Sequence, residues 1–87
     1  MDTNAAEQYL SELAGELDPE TFRTQLIRAA GDWPELTVTN RKAARLSERV
    51  KVLEGYYQWS WGQTIAPVGE RAVAARRVSR VLAIVEG

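Results

Sequence analysis

Within residues 55–67 bulky aromatic side chains recur at every second position: Tyr57, Trp59 and Trp61, with Gln58, Ser60, Gly62 and Thr64 between them. A period of two belongs to a β-strand with one dry face. The preceding segment, residues 46–53, carries its apolar side chains mostly at even positions, Val50 and Val52 among them. If Glu54 and Gly55 make a two-residue hairpin turn, Val52 falls opposite Tyr57, Val50 opposite Trp59 and Glu48 opposite Trp61. The even face of one strand then continues the odd face of the next. A register shifted by one residue would set the valines beside Gln58 and Ser60 instead. Glutamate is a poor first residue for either favoured hairpin turn, so a longer loop of the same parity is the alternative.

This pairing assigns Tyr57, Trp59 and Trp61 to the core, where each large aromatic buries roughly 150–250 Å². Glu48 is then an acid on a dry face. It must reach solvent at the sheet end, accept the Trp61 indole N–H, or pair with an arginine such as Arg71. The opposite face collects Arg49, Lys51, Leu53, Tyr56, Gln58 and Ser60, a mixture of basic, aromatic and polar groups that makes it the candidate partner-binding surface.

Flanking segments supply covers for the dry face. Asn4 with Glu7 three residues on reads as a capping box, and Ala6, Tyr9, Leu10, Leu13 and Leu17 follow at helical spacing, so a helix is expected over residues 4–16. Gly15 weakens its last turn and Asp18-Pro19 ends it. After Pro67, Ala74, Ala75, Val78, Val81, Leu82 and Val85 form a second stripe, with Glu70, Arg76, Arg77 and Arg80 opposite, which predicts a helix over residues 68–85. Leu36 and Val38 alternate with Thr37 and Thr39 as in a strand, and residues 40–44 read as a connection. Residues 20–30 fit two patterns. Asp18 as cap and Pro19 at the first helical position would start a helix with Phe22, Leu26 and Ala29 on one side. The run Thr21 to Arg28 is also rich in strand formers, and Gly31-Asp32-Trp33-Pro34 is a turn leading into the next strand.

The residue inventory restricts the chemistry. The chain of 87 residues has material for one core and therefore one domain, residues 1–87. It has no histidine and no cysteine, which removes the commonest general base, the best nucleophile, thiolate metal sites and disulfides. No serine lies in an activating motif, no glycine-rich loop cradles phosphate, and the acids near residues 12–20 match no calcium loop. No enzymatic activity, cofactor or metal is expected. The polar N-terminus and the absence of an apolar run near the roughly 18 residues of a membrane span make the cytoplasm the expected location.

A net charge of −1 conceals segregation. Asp2, Glu7, Glu12, Glu16, Asp18 and Glu20 precede any basic residue, whereas Arg41, Lys42, Arg45, Arg49 and Lys51 surround only Glu48, and Arg71, Arg76, Arg77 and Arg80 form a second basic group. The plainer reading is solvation of a face with some internal complementarity; the sharper one is a polar molecule that steers a charged partner to one side.

Leu36-x-Val38-Thr39-Asn40-Arg41, Leu46-Ser47-Glu48, Tyr57-x-Trp59-Ser60-Trp61-Gly62, Ile65-Ala66-Pro67 and the alanine-rich final helix ending Arg80-Val81-Leu82 resemble a group of small uncharacterised proteins of actinobacteria, over roughly residues 22–85. The group has no established activity, so the resemblance carries over no functional residue. It implies that the segment before Trp33-Pro34 is a strand. The expected architecture is thus α+β: a helix, a four-stranded antiparallel meander and a C-terminal helix, both helices on the tryptophan face. The expected function is a non-enzymatic protein-binding module, an adaptor, regulatory accessory or chaperone-like protein that meets another protein or a second copy of itself. The alternative is a single-stranded nucleic-acid binder using Arg41, Lys42, Arg45, Arg49 and Lys51.

Overall fold

The computed structural model describes residues 3–28 and 33–84. In chain order the elements are α1 (Thr3–Glu16), β1 (Phe22–Ile27), β2 (Glu35–Asn40), β3 (Ala43–Leu53), β4 (Tyr56–Trp59), β5 (Thr64–Pro67) and α2 (Arg71–Val81). The strands form one antiparallel sheet in the order β1-β2-β3-β4-β5, each beside its sequence neighbour. The class is α+β as expected. The sheet has five strands rather than four, because the aromatic segment folds back on itself.

The central hairpin has the expected parity: Val52 pairs with Tyr57 and Val50 with Trp59. Its turn is the short one. Glu54 and Gly55 both take left-handed backbone angles, φ 53° and 84°, the twist that two-residue hairpin turns need. Glu54 adopts a conformation that non-glycine residues resist, held there by the paired strands on either side.

The break comes after Trp59. Gly62, at φ 104°, reverses the chain, its N–H donates to the Trp59 carbonyl at 2.8 Å, and the Trp59 N–H donates to the Gln63 carbonyl at 2.8 Å. Trp61 is therefore on a turn and not in the core: it is 55% exposed, whereas Trp59 is 4% exposed. The Trp61 ring stacks on Trp59 with centroids 5.2 Å apart, and its indole N–H donates to Gln63 Oε1 at 3.3 Å. Glu48 consequently faces no tryptophan. It lies opposite Val38, half-buried, and Arg71 is occupied elsewhere, so of the three expected outcomes its carboxylate reaches solvent.

Both helices contribute to the core that covers Val50, Val52, Tyr57 and Trp59. Ala6, Leu10 and Leu13 of α1, with Leu17 just beyond it, recur at helical spacing and are buried with Phe22, Leu36 and Val38. Ala74, Ala75, Val78 and Leu82 supply the α2 side, over Ile65 and Ala66. Val81 departs from the expected stripe at 52% exposure, and Val85 lies outside the described residues. The second helix begins later than expected, since Val68 still hydrogen-bonds to the Gly55 carbonyl as an extension of β5.

Local polar contacts explain the element ends. α1 already includes Asn4 in its first turn, so Asn4 is not its cap, and the Glu7 carboxylate instead takes the Arg28 guanidinium at 2.7 Å. Asp18 does behave as a cap: its carboxylate accepts the Glu20 N–H at 3.0 Å and the Thr21 hydroxyl at 2.9 Å. Those two bonds, led by the Glu20 N–H, hold its carboxyl below the usual range. Only a single turn follows before the β-branched Thr21 enters the strand, so residues 22–27 are a strand and the helical option fails. The expected turn at residues 31–34 lies in part outside the described residues. The connection expected over residues 40–44 shrinks to Arg41-Lys42, and a register irregularity between Thr39 and Asn40 absorbs the difference.

Internal charge complementarity accounts for part of the segregation. Arg71 pairs with Glu12 at 3.4 Å and Glu16 at 3.3 Å, joining the start of α2 to the end of α1. These pairs are half-exposed, and each contributes at most about 1 kcal/mol.

Tyr57 links the layers. Its fully buried ring directs the hydroxyl to the Tyr9 carbonyl of α1 at 2.8 Å. Burial, reinforced by the negative charge of Glu12, pushes its pKa up to about 12 from 10.0. Above pH 10 the unfolded chain sheds this proton while the folded one keeps it, so the stability that depends on it is complete below 10 and lost as pH rises toward 12. Tyr57→Phe should flatten that alkaline limb in denaturation curves measured across pH, at a neutral-pH cost of about 1 kcal/mol. An unchanged limb would place the titrating group elsewhere.

Candidate interaction surface

The sheet face turned away from both helices carries the residues that the alternation singles out. In the β3–β4 ladder Lys51 stands opposite Gln58 and Leu53 opposite Tyr56. One step further, the Ser60 N–H donates to the Arg49 carbonyl at 2.9 Å. All six expected partner-binding residues thus come together, five on consecutive open-face rungs and Ser60 where β4 gives way to its turn. Parity explains this: once Val50, Val52, Tyr57 and Trp59 are committed to the core, their odd and even neighbours must face the other way.

The surface has two parts. One end is apolar: Leu53 is 41% and Tyr56 44% exposed, as a direct cross-strand pair. Trp33, 36% exposed, joins this end of the sheet through its indole N–H, which donates to the Val52 carbonyl at 2.7 Å. That carbonyl points toward β2 at a level where β2 has not yet begun, and the indole replaces the missing strand. The other part is a shallow polar trough lined by Gln25, Ile27, Thr37, Ser47, Glu48, Arg49 and Ser60. Thr37 Oγ1 is buried there with no hydrogen-bond partner among the described residues. The Ser47 hydroxyl is tied to Thr39 at 2.9 Å, and Arg49 lies 3.7 Å from Glu35.

The five cations of the nucleic-acid alternative do not form one patch. Arg41 and Lys42 occupy the β2–β3 turn, where Arg41 Nε donates to the Pro19 carbonyl at 2.7 Å and the Lys42 N–H to Asn40 Oδ1 at 2.9 Å. Arg45 lies in the irregular start of β3, exposed, and Arg49 and Lys51 stand further along that strand. Of the exposed aromatics, Tyr56 and Trp33 are at the Leu53 end, away from Arg41, Lys42 and Arg45, and Trp61 has one face stacked on Trp59 in the β4–β5 turn. Base stacking beside phosphate contacts needs the two interleaved.

Two surface features were not legible from the chain alone. Trp33 reads only as part of a turn signature before Pro34, and the long-range partner of its indole leaves no local mark. The stacked Trp59–Trp61 pair, with Arg77, Arg80 and Val81 bordering a groove beside Trp59, also went unseen, although Gly62 was the available clue. Among the described residues no helix is long and apolar enough to cross a membrane, and no group of three or more acidic side chains is placed to hold a metal ion. The chain matches no protein-family model, no curated protein and no solved structure at a significant level.

Proposed function

We propose that this domain is a non-enzymatic protein-binding module, a cytoplasmic adaptor or accessory protein that meets its partner with the open sheet face. The observation carrying this reading is the Leu53–Tyr56 pair, two large side chains left more than two-fifths exposed on a face no helix covers. Arg49, Lys51, Gln58 and Ser60 border it. An aromatic anchor within a rim of polar and basic groups has the composition of a protein contact surface.

The test is affinity capture from the source cells with the wild-type chain and with Leu53→Asp and Tyr56→Ala. A partner retained by the wild type should bind each variant at least about tenfold more weakly, with melting temperatures little changed because both sites are exposed. A wild-type chain that retains no protein, or a partner indifferent to both substitutions, sinks this reading. Salt-titrated binding to a single-stranded oligonucleotide separates the rival, since phosphate contacts give an affinity that falls steeply with salt.

A further inference from the structure

The two rims of the sheet are finished differently. In an antiparallel ladder alternate residues direct both N–H and C=O to the same side. On β5 the Val68 N–H donates to the Gly55 carbonyl at 3.0 Å, so Val68 and Ala66 face β4 while Ile65 and Pro67 face outward. That outer rim is largely occupied. The Ile65 carbonyl accepts the Arg77 guanidinium, Pro67 has no N–H, and the Pro67 carbonyl accepts the Glu70 N–H at 2.9 Å.

On β1 the Arg41 N–H donates to the Thr21 carbonyl at 2.9 Å, and the Phe22 N–H turns away from β2 to the Asp18 carbonyl at 2.9 Å. Thr21, Arg23, Gln25 and Ile27 therefore face β2, while Phe22, Thr24 and Leu26 face outward. Among the described residues nothing meets the Phe22 carbonyl or the N–H and C=O of Thr24 and Leu26. This strand of six residues holds neither proline nor lysine, two of the devices that keep an edge from pairing.

We propose that a second copy of this chain occupies the β1 rim, antiparallel, with Thr24 on the two-fold axis, so that one sheet runs through both copies. The sequence of β1 is self-complementary in that register. The two Thr24 residues exchange N–H and C=O, and each Leu26 N–H reaches the Phe22 carbonyl of the other copy. The Phe22 N–H, already bound to Asp18, is not needed. On the core side Leu26, 40% exposed, comes to lie over Phe22 of the other copy. On the open side Arg23 stands opposite Gln25, and beyond the strand ends the exposed Glu20 is carried toward Arg28. Centring the pair on Arg23 instead would set two arginines face to face. The inference rests on the reading of the domain as a protein-binding module, but it uses the rim of the sheet and not its face.

The experiment is the oligomeric state of the full chain by light scattering and sedimentation across a wide concentration range, with amide exchange at its two ends. The expected result is a species of twice the 9.7 kDa chain mass, in which the Thr24 and Leu26 amides exchange more slowly than in dilute monomer. Gln25→Glu, facing Arg23, should tighten the dimer and Gln25→Arg should loosen it, each by roughly three- to tenfold. Thr24→Pro, which removes the N–H on the axis without touching the β2 ladder, should weaken it by at least about tenfold. Should that variant not fold, the exposed Gln25 pair decides. A chain monomeric throughout overturns the proposal, as does a dimer whose Thr24 and Leu26 amides stay unprotected or whose affinity ignores the charge at Gln25. Leu53→Asp separates the two readings: a dimer it dissolves is built on the open face and overturns the rim, whereas a partner it fails to weaken sinks the face reading and leaves the rim standing.

Discussion

Tyr57→Ala is expected to remove about 3–5 kcal/mol of folding stability, whereas Trp61→Ala, four residues further on, should cost no more than about 1.5 kcal/mol. Both are large aromatics in one alternating run, and the contrast follows from where the run breaks. Tyr57 is fully buried among Leu10, Leu13, Val52 and Ala66, and its hydroxyl holds the α1 backbone. Truncation leaves a cavity between helix and sheet that rigid neighbours on both sides cannot fill. Trp61 packs one face on Trp59 and leaves the other to water. For a domain whose whole stability is about 5–15 kcal/mol, the first loss consumes a large share and the second little. Chemical denaturation of both variants settles it, and equal losses would mean that Trp61 is a core residue after all.

Asn40→Ala is expected to cost about 2–4 kcal/mol, more than its size suggests. Asn40 is 3% exposed, and its amide serves two elements: Nδ2 donates to the Leu82 carbonyl at the end of α2, at 2.9 Å, while Oδ1 accepts the Lys42 N–H of the β2–β3 turn, at 2.9 Å. Alanine strands a buried carbonyl and a turn amide together. Asn40→Asp keeps the shape and the acceptor, but presents a second acceptor to the Leu82 carbonyl, so it should lose nearly as much. Urea midpoints give the magnitude, and faster amide exchange in the last turn of α2 gives the location. A loss under about 0.5 kcal/mol, the range of ordinary surface substitutions, would refute the bridging role.

Parity made the central hairpin legible. Val50, Val52, Tyr57 and Trp59 could share a face in only one register, and that register fixed the open-face group Arg49, Lys51, Leu53, Tyr56 and Gln58 at the same time. The same logic overreached at Trp61, because apolar alternation runs unbroken through a turn and only Gly62 signals the reversal. Residues 22–27 were ambiguous for a different reason. Asp18-Pro19 is a sound local start for a helix, and what decides for strand is pairing with residues 35–40, a tertiary choice that local propensity does not encode. Asn40 and Trp33 act through partners at sequence separations of 42 and 19, beyond the reach of any periodicity. The basic run from Arg41 to Lys51 looked like one patch because it is continuous along the chain, but a turn followed by a strand spreads its members along the sheet.

The meander also sets an order of events while the chain is being made. Each strand can dock on the one synthesised just before it, so the sheet can grow from β1 without waiting for distant segments. The opening helix is covered in stages: it meets β1, β2 and β3 as they form, but its Tyr9 carbonyl receives the Tyr57 hydroxyl, and Glu12 and Glu16 receive Arg71, only after most of the chain has left the ribosome. The hairpin that delivers Tyr57 is therefore the step that ties the first helix to the second half of the sheet.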